Sequence, residues 1–148
     1  MKLFGKPVVL AVVACLATIA PVLPGSALAY EVIARVDLSS QTMTVIHRGV
    51  ERYRWKVSTA RRGKVTPTGR WTAKWLARHH RSSRYNNAPM PHSIFYSGNF
   101  AIHGTDQVSK LGRPASAGCI RLHPDNAAVL FRITKQAGLD NMLVEVVR

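Results

Sequence analysis

Apolar and polar positions alternate along much of the chain after residue 30. Over residues 30–38, Val32, Ala34, Val36 and Leu38 alternate with Glu31, Ile33, Arg35 and Asp37, the mostly two-residue period of a half-buried strand. Ser39-Ser40-Gln41 reads as a turn, and residues 42–47, rich in β-branched side chains, as a second strand. After Arg48-Gly49 a third strand is expected over 50–58, with Tyr53, Trp55 and Val57 on one face and Arg52, Arg54 and Lys56 on the other. The short connections predict an antiparallel meander. Residues 61–69 (RRGKVTPTG) form a loop in which Thr66 precedes Pro67 and is biased to extended geometry. A strand is expected over 71–77, placing Trp71, Ala73 and Trp75 on one face as core residues. Residues 78–91 (RHHRSSRYNNAPMP) show no period and predict a long basic loop, a flap beside a site. Short strands are expected at 94–96 and 100–103, around Ser97-Gly98-Asn99, and at Ile120–Leu122.

One helix stands out. His123-Pro124-Asp125-Asn126 opens it, Ala127, Leu130, Phe131, Thr134 and Ala137 give its apolar stripe, and Gly138 closes it. Residues 143–147 form a closing strand. The pattern therefore predicts a mainly β domain with one helix in its C-terminal half.

The first 29 residues change the picture of where the chain works. Lys2 and Lys6 precede an apolar run at 8–20, and Ala27-Leu28-Ala29 offers a cleavage pattern, so 1–29 is expected to be a secretory signal peptide and 30–148 the domain. A competing expectation makes Cys15 a lipidated anchor, although an apolar tract rather than a polar linker follows it. Removing the signal leaves 19 Lys and Arg against 7 Asp and Glu, a net +12. Such a surface favours anionic partners. In an exported protein these are cell-wall polymers, with peripheral contact to anionic membrane surfaces, rather than nucleic acid. The expected location is the periplasm or cell envelope.

Residues 101–122 (AIHGTDQVSKLGRPASAGCIRL) carry the candidate chemistry. His103 follows one apolar run and Cys119 precedes another, with a polar loop containing Gly and Pro between them. Cys119 is the one thiol left after signal removal, so it has no internal disulfide partner. A lone thiol can be a buried inert residue. Beside a His, a Gly and an Arg it fits a nucleophile, which needs a base only to meet it in space. On a strand, Arg121 shares a face with Cys119 and can pair with a carboxylate. Gly118 and Ala117 could present backbone N–H groups to an oxyanion, and Ser116 could brace the turn. Asp106 is the nearest acid in sequence to orient His103, but proximity along a turn does not ensure contact.

His-Gly-Thr followed by Ser-x-Gly-Cys-Ile-Arg resembles the catalytic signature of the L,D-transpeptidases, cell-wall enzymes with a cysteine nucleophile. The resemblance extends to residues 57–69 (VSTARRGKVTPTG) and to Met90-Pro91 through Thr105, nearly the whole chain after residue 30. Ala60 stands where the family usually has Gly, and Ala117 where some members have a second His. The resemblance implies a β-sandwich-like catalytic domain with no cofactor or metal. It also implies the Gly104 carbonyl as the partner that orients His103.

The implied reaction has Cys119 attack the third-residue carbonyl of a peptidoglycan tetrapeptide stem and release D-Ala. The acyl group then passes to an amine from a second stem, a D-amino acid or an envelope protein. Tyr85 and His92 are further candidates for substrate contact. Two other readings remain at this stage. Water as acceptor would make the chain an L,D-carboxypeptidase or amide hydrolase. A non-catalytic wall-binding or zinc module would use His92, His103, Cys119 and His123 as ligands.

Overall fold

A computed structural model describes residues 30–148; the expected signal peptide and Cys15 lie outside the described residues. Strands β1 (Val32–Asp37), β2 (Thr42–His47) and β3 (Val50–Lys56) form the antiparallel meander that the alternation implies. Strand β4 (Gly69–Thr72) and the closing strand β9 (Met142–Val147) complete a five-stranded sheet in the order β3-β2-β1-β9-β4. β9 runs parallel to β1 and antiparallel to β4. A second sheet has the order β5-β6-β7-β8, from β5 (Trp75–Arg81), β6 (Pro89–Ser97), β7 (Phe100–Gly104) and β8 (Ile120–Leu122). Helix α1 (Pro124–Ala137) packs on β6 and β7.

One core joins the two sheets and the helix. Val32, Ala34, Val36, Met43, Val45, Val144 and Val146 come from the first sheet, Ile94, Tyr96, Ile102, Ile120 and Leu122 from the second, and Ala127, Leu130 and Phe131 from α1. The helix begins as its sequence dictates. Pro124 occupies the first turn, where its missing N–H costs nothing, and the His123 ring accepts the Asp125 N–H at 3.3 Å. Gly138, at φ +92°, ends it.

Two expectations need correction. The single strand expected over 71–77 is two strands in different sheets. The chain leaves β4, bonds Ala73 N–H to the Met142 carbonyl and Lys74 N–H to the Phe95 carbonyl, and so crosses between sheets. Trp71 packs against the core, whereas Trp75 is largely exposed and stacks flat on Phe95, ring centroids 3.7 Å apart. The loop expected over 78–91 is mostly strand. His79 pairs with Pro91, His80 with Met90 and Arg81 with Pro89, leaving only a short turn as the tip of a β-hairpin. This hairpin extends past the core, so its pairing is held by backbone bonds and leaves no apolar period to read.

Candidate active site

The parallel pairing of β7 with β8 brings the two sequence-distant residues together. Ile102 lies beside Ile120 and His103 beside Arg121. Ile102, Ile120 and Leu122 face the core, so alternation turns Ala101, His103, Cys119 and Arg121 to the other side. There Met90, Phe95 and Ala101 form a small apolar cluster, and Cys119 packs against it. Cys119, His103 and Arg121 all line one cavity of about 480 Å³.

His103 is buried, and its Nδ1 lies 2.7 Å from its neighbour's carbonyl, Gly104 O. A carbonyl only accepts, so Nδ1 carries the proton and Nε2 presents a lone pair. Burial pushes the pKa of this imidazole down to about 4; the Gly104 contact opposes the shift, and Arg121 and His80 add to it. His103 is therefore neutral at pH 7, the form that can accept a proton. Burial also raises the Cys119 thiol above its ordinary range, against the pull of the Ala101 backbone and the Arg121 guanidinium. The S–H points to the Asn99 carbonyl, 3.8 Å away. Both groups are therefore neutral at rest, and both line the same cavity.

The turn before Cys119 is tightly bonded. The Ser116 hydroxyl donates to the Cys119 carbonyl at 2.6 Å and accepts the Gly118 N–H at 3.0 Å. The Gly118 N–H is thereby engaged inside the turn, which corrects its expected role as an oxyanion donor. Gly118 is required for space instead. It sits at φ +140°, and a Cβ there would lie 2.7 Å from Phe100 Cε1 and 2.8 Å from the Val65 carbonyl oxygen.

Residues 57–66 hold this turn from outside. Ser58 and Arg121 exchange backbone bonds of 3.1 and 2.9 Å, and the Ser116 carbonyl accepts the Arg61 N–H at 2.9 Å. Thr66 Oγ1 accepts the Ala60 N–H and donates to the Gly118 carbonyl at 2.8 Å. The Thr59 N–H and hydroxyl are fixed by the buried Gln41 amide. The Thr-Pro-Thr-Gly segment is thus a brace for the cysteine turn. Nothing in the spacing of Thr66 shows this, because its partners lie 52 residues away or in an irregular loop.

The other expected site residues divide. Ala117, Ser116 and Tyr85 line the cavity with Cys119. Asp106 lines it too, but the bond that orients His103 comes from Gly104. His92 is not brought there. It adopts φ +54°, its ring packs edge-on against Phe131 of α1 at 5.4 Å, and its Nδ1 has no partner among the described residues. His123 caps the helix. No three His, Cys, Asp or Glu side chains among the described residues gather as a metal site needs; of the four candidate zinc ligands, His103 and Cys119 share the cavity while His92 and His123 lie elsewhere. Sequence reading put His80 on the flap beside the site, where it lines the cavity, but took Trp75 for a core residue when it too lines the cavity. His80 lies edge-on to both Phe95 and Trp75, at 5.0 and 5.6 Å. The one signal for Trp75 is an aromatic residue beside an aperiodic stretch, which does not specify a wall.

With this geometry in place, comparison with known families is decisive. The family model for YkuD, the L,D-transpeptidase catalytic domain, matches residues 31–146. The chain belongs to the L,D-transpeptidase catalytic domain family. The two-sheet architecture with one helix is also that of solved L,D-transpeptidases. One from Mycobacterium smegmatis superposes with a TM-score of 0.71 at 23% identity, over 80% of this chain and 59% of that chain. One from Stackebrandtia nassauensis gives 0.69 at 23%, over 80% and 56%. L,D-transpeptidase 3 from Mycobacterium tuberculosis, solved with a faropenem-derived adduct, gives 0.69 at 19%, over 80% and 60%. At such identities the likeness is one of fold. The L,D-transpeptidase domain described here spans less than two thirds of these solved chains. No curated protein sequence matches it.

Proposed function

We propose that the chain is a peptidoglycan L,D-transpeptidase in which Cys119 is the nucleophile and His103 its base. The observation that carries this reading is the presence in one cavity of a thiol and a neutral imidazole whose Nδ1 is tied to Gly104, leaving Nε2 as acceptor. Nε2 takes the thiol proton as sulfur bonds to the third-residue carbonyl carbon of a tetrapeptide stem. The tetrahedral oxyanion collapses, the C–N bond to D-Ala breaks, and the departing nitrogen takes the proton. An acceptor amine then attacks the thioester, yields its proton to Nε2, and the C–S bond breaks as sulfur regains a proton.

The N–H groups of Ala117 and Cys119 are left to face the oxyanion, since those of Ser116 and Gly118 are bonded to Thr59 O and Ser116 Oγ. Arg121 shares the nucleophile's face and is placed to bind a substrate carboxylate. The charged leader pattern at residues 1–29 supports action outside the cytoplasm, where stem peptides and envelope-protein amines are found.

Intact-mass measurement after incubation with a tetrapeptide stem is expected to show one tripeptide acyl group on Cys119, and none on Cys119→Ala. Stem processing that survives Cys119→Ala would end this reading. Addition of an amine should shift product from free tripeptide to the coupled peptide. Free tripeptide alone would assign the chain to the carboxypeptidases.

A further inference from the structure

Of the seven acidic residues of this chain, only Asp106 lines the cavity. Arg35 and Arg70 pair with Glu145 and Arg54 with Glu51 on the five-stranded sheet, and Arg48 with Glu31 at its edge. The cavity beside Cys119 is lined by three arginines, Arg61, Arg84 and Arg121, and by a single acidic residue, Asp106. Among the described residues none of the three makes an ion pair; Arg121 reaches only the neutral Gln107 amide, at 3.2 Å.

Arg61 and Arg84 are also held by independent structures. The Arg61 N–H is bonded to the Ser116 carbonyl, which ties this residue to the cysteine turn. Arg84 sits in the hairpin tip, where its N–H and that of Tyr85 both donate to Ser82 Oγ. The tip is braced further by the Arg81 guanidinium on the Asn87 carbonyl at 3.0 Å. Two fixed backbones thus present two unpaired cations to one cavity. Guanidinium groups bind carboxylates through a planar fork that an ammonium or a neutral amide does not match.

We infer that Arg61 and Arg84 make this site selective for donor stems that carry free carboxylates on both sides of the attacked carbonyl. One is on the side chain of the third residue, and the other is the terminal carboxylate of the leaving D-Ala. The inference rests on the proposed transpeptidase reading and adds which chemical form of the stem is used. A carboxamide has the shape of a carboxylate without its charge, so amidation at either position should weaken the donor.

The test compares four synthetic tetrapeptide stems, with each of the two carboxylates free or amidated, by the rate of thioester formation on Cys119. The wild-type chain is expected to favour the doubly free stem by about tenfold or more at each position, the scale of one charge-assisted hydrogen bond. The preference should narrow as salt is raised. Arg61→Gln and Arg84→Gln should each lose discrimination at one position and keep it at the other. Alkylation of Cys119 by neutral iodoacetamide should keep its wild-type rate in both variants, showing an intact site. Equal use of free and amidated stems by the wild-type chain overturns the inference while leaving the transpeptidase reading in place. So does a loss in the Gln variants that is the same for all four stems. Absence of a thioester with any stem overturns the transpeptidase reading itself.

Discussion

His103 and Cys119 are both neutral in the resting site, and this has measurable consequences. With its pKa lowered to about 4, chiefly by burial, His103 stays a base down to mildly acid pH. The acid limb of kcat/KM should therefore fall near pH 4, well below the range of an ordinary imidazole; an acid limb at pH 6 or above would contradict this. Because burial raises the Cys119 thiol, iodoacetamide should label it more slowly at pH 7 than a free thiol, with the rate climbing into the alkaline range. The His103 shift also links to stability. The unfolded chain binds this proton at a pKa of about 6.5 and the folded chain at about 4, so the stabilising contribution is complete above pH 6.5 and is lost as pH falls toward 4. Urea unfolding across that window should show stability dropping by a few kcal/mol from this group. The lowered pKa of His92, again chiefly from burial, acts in the same direction.

Gly118 gives a second prediction at this scale. Gly118→Ala forces a side chain against Phe100 and a backbone oxygen at positive φ, so it should cost about 1–3 kcal/mol. It should also reduce acylation at least a hundredfold by moving the cysteine turn. Tyr96 gives the opposite expectation. It is fully buried, and its hydroxyl has no partner among the described residues. Removing that oxygen in Tyr96→Phe should leave stability unchanged or raise it by about 1 kcal/mol in thermal unfolding.

Among the elements, the Thr66 brace and the β5–β6 hairpin decide how the site is held. Thr66→Val keeps the side-chain volume but leaves the Ala60 N–H and the Gly118 carbonyl without their partner. A loss of about 2 kcal/mol in urea unfolding is expected, together with slower acylation. Normal acylation would show that the turn is held by Ser116 alone. This pair of elements also shows what the chain reveals of itself. β1, β2, α1 and the closing strand were legible because each buries one face against the core, which imprints a period of two or of 3.6. His103 and Cys119 were legible because a His-Gly-Thr motif and a cysteine between Gly and Ile-Arg carry chemical meaning without any structure. The crossover at Ala73–Lys74 and the strand pairing of His79 and His80 were not legible. Both rest on backbone bonds to distant partners, Met142, Phe95, Pro91 and Met90, and such bonds leave no mark on side-chain pattern. The bracing role of Thr66 was hidden for the same reason.

For the whole molecule, one core serves both sheets, and the site is built on the side of the second sheet that faces away from it. Ile102 and Ile120 anchor the two strands in that core, while His103 and Cys119 project the other way. The separation lets the cavity wall change without disturbing the packed centre, so substitutions at Arg84 or Tyr85 should alter substrate preference with stability within about 0.5 kcal/mol of the parent. The pairing of Val32 with Met142 has a further consequence for how such a chain acquires its shape. The first strand and the last are immediate neighbours, and β4 finds its place in the first sheet only through β9. Closing that sheet demands an encounter between segments far apart in sequence before the local meander is rewarded by a partner on its inner edge. Refolding should accordingly take milliseconds to seconds rather than microseconds. A version cut short before Met142 should remain open and prone to associate along the bared edge of β1.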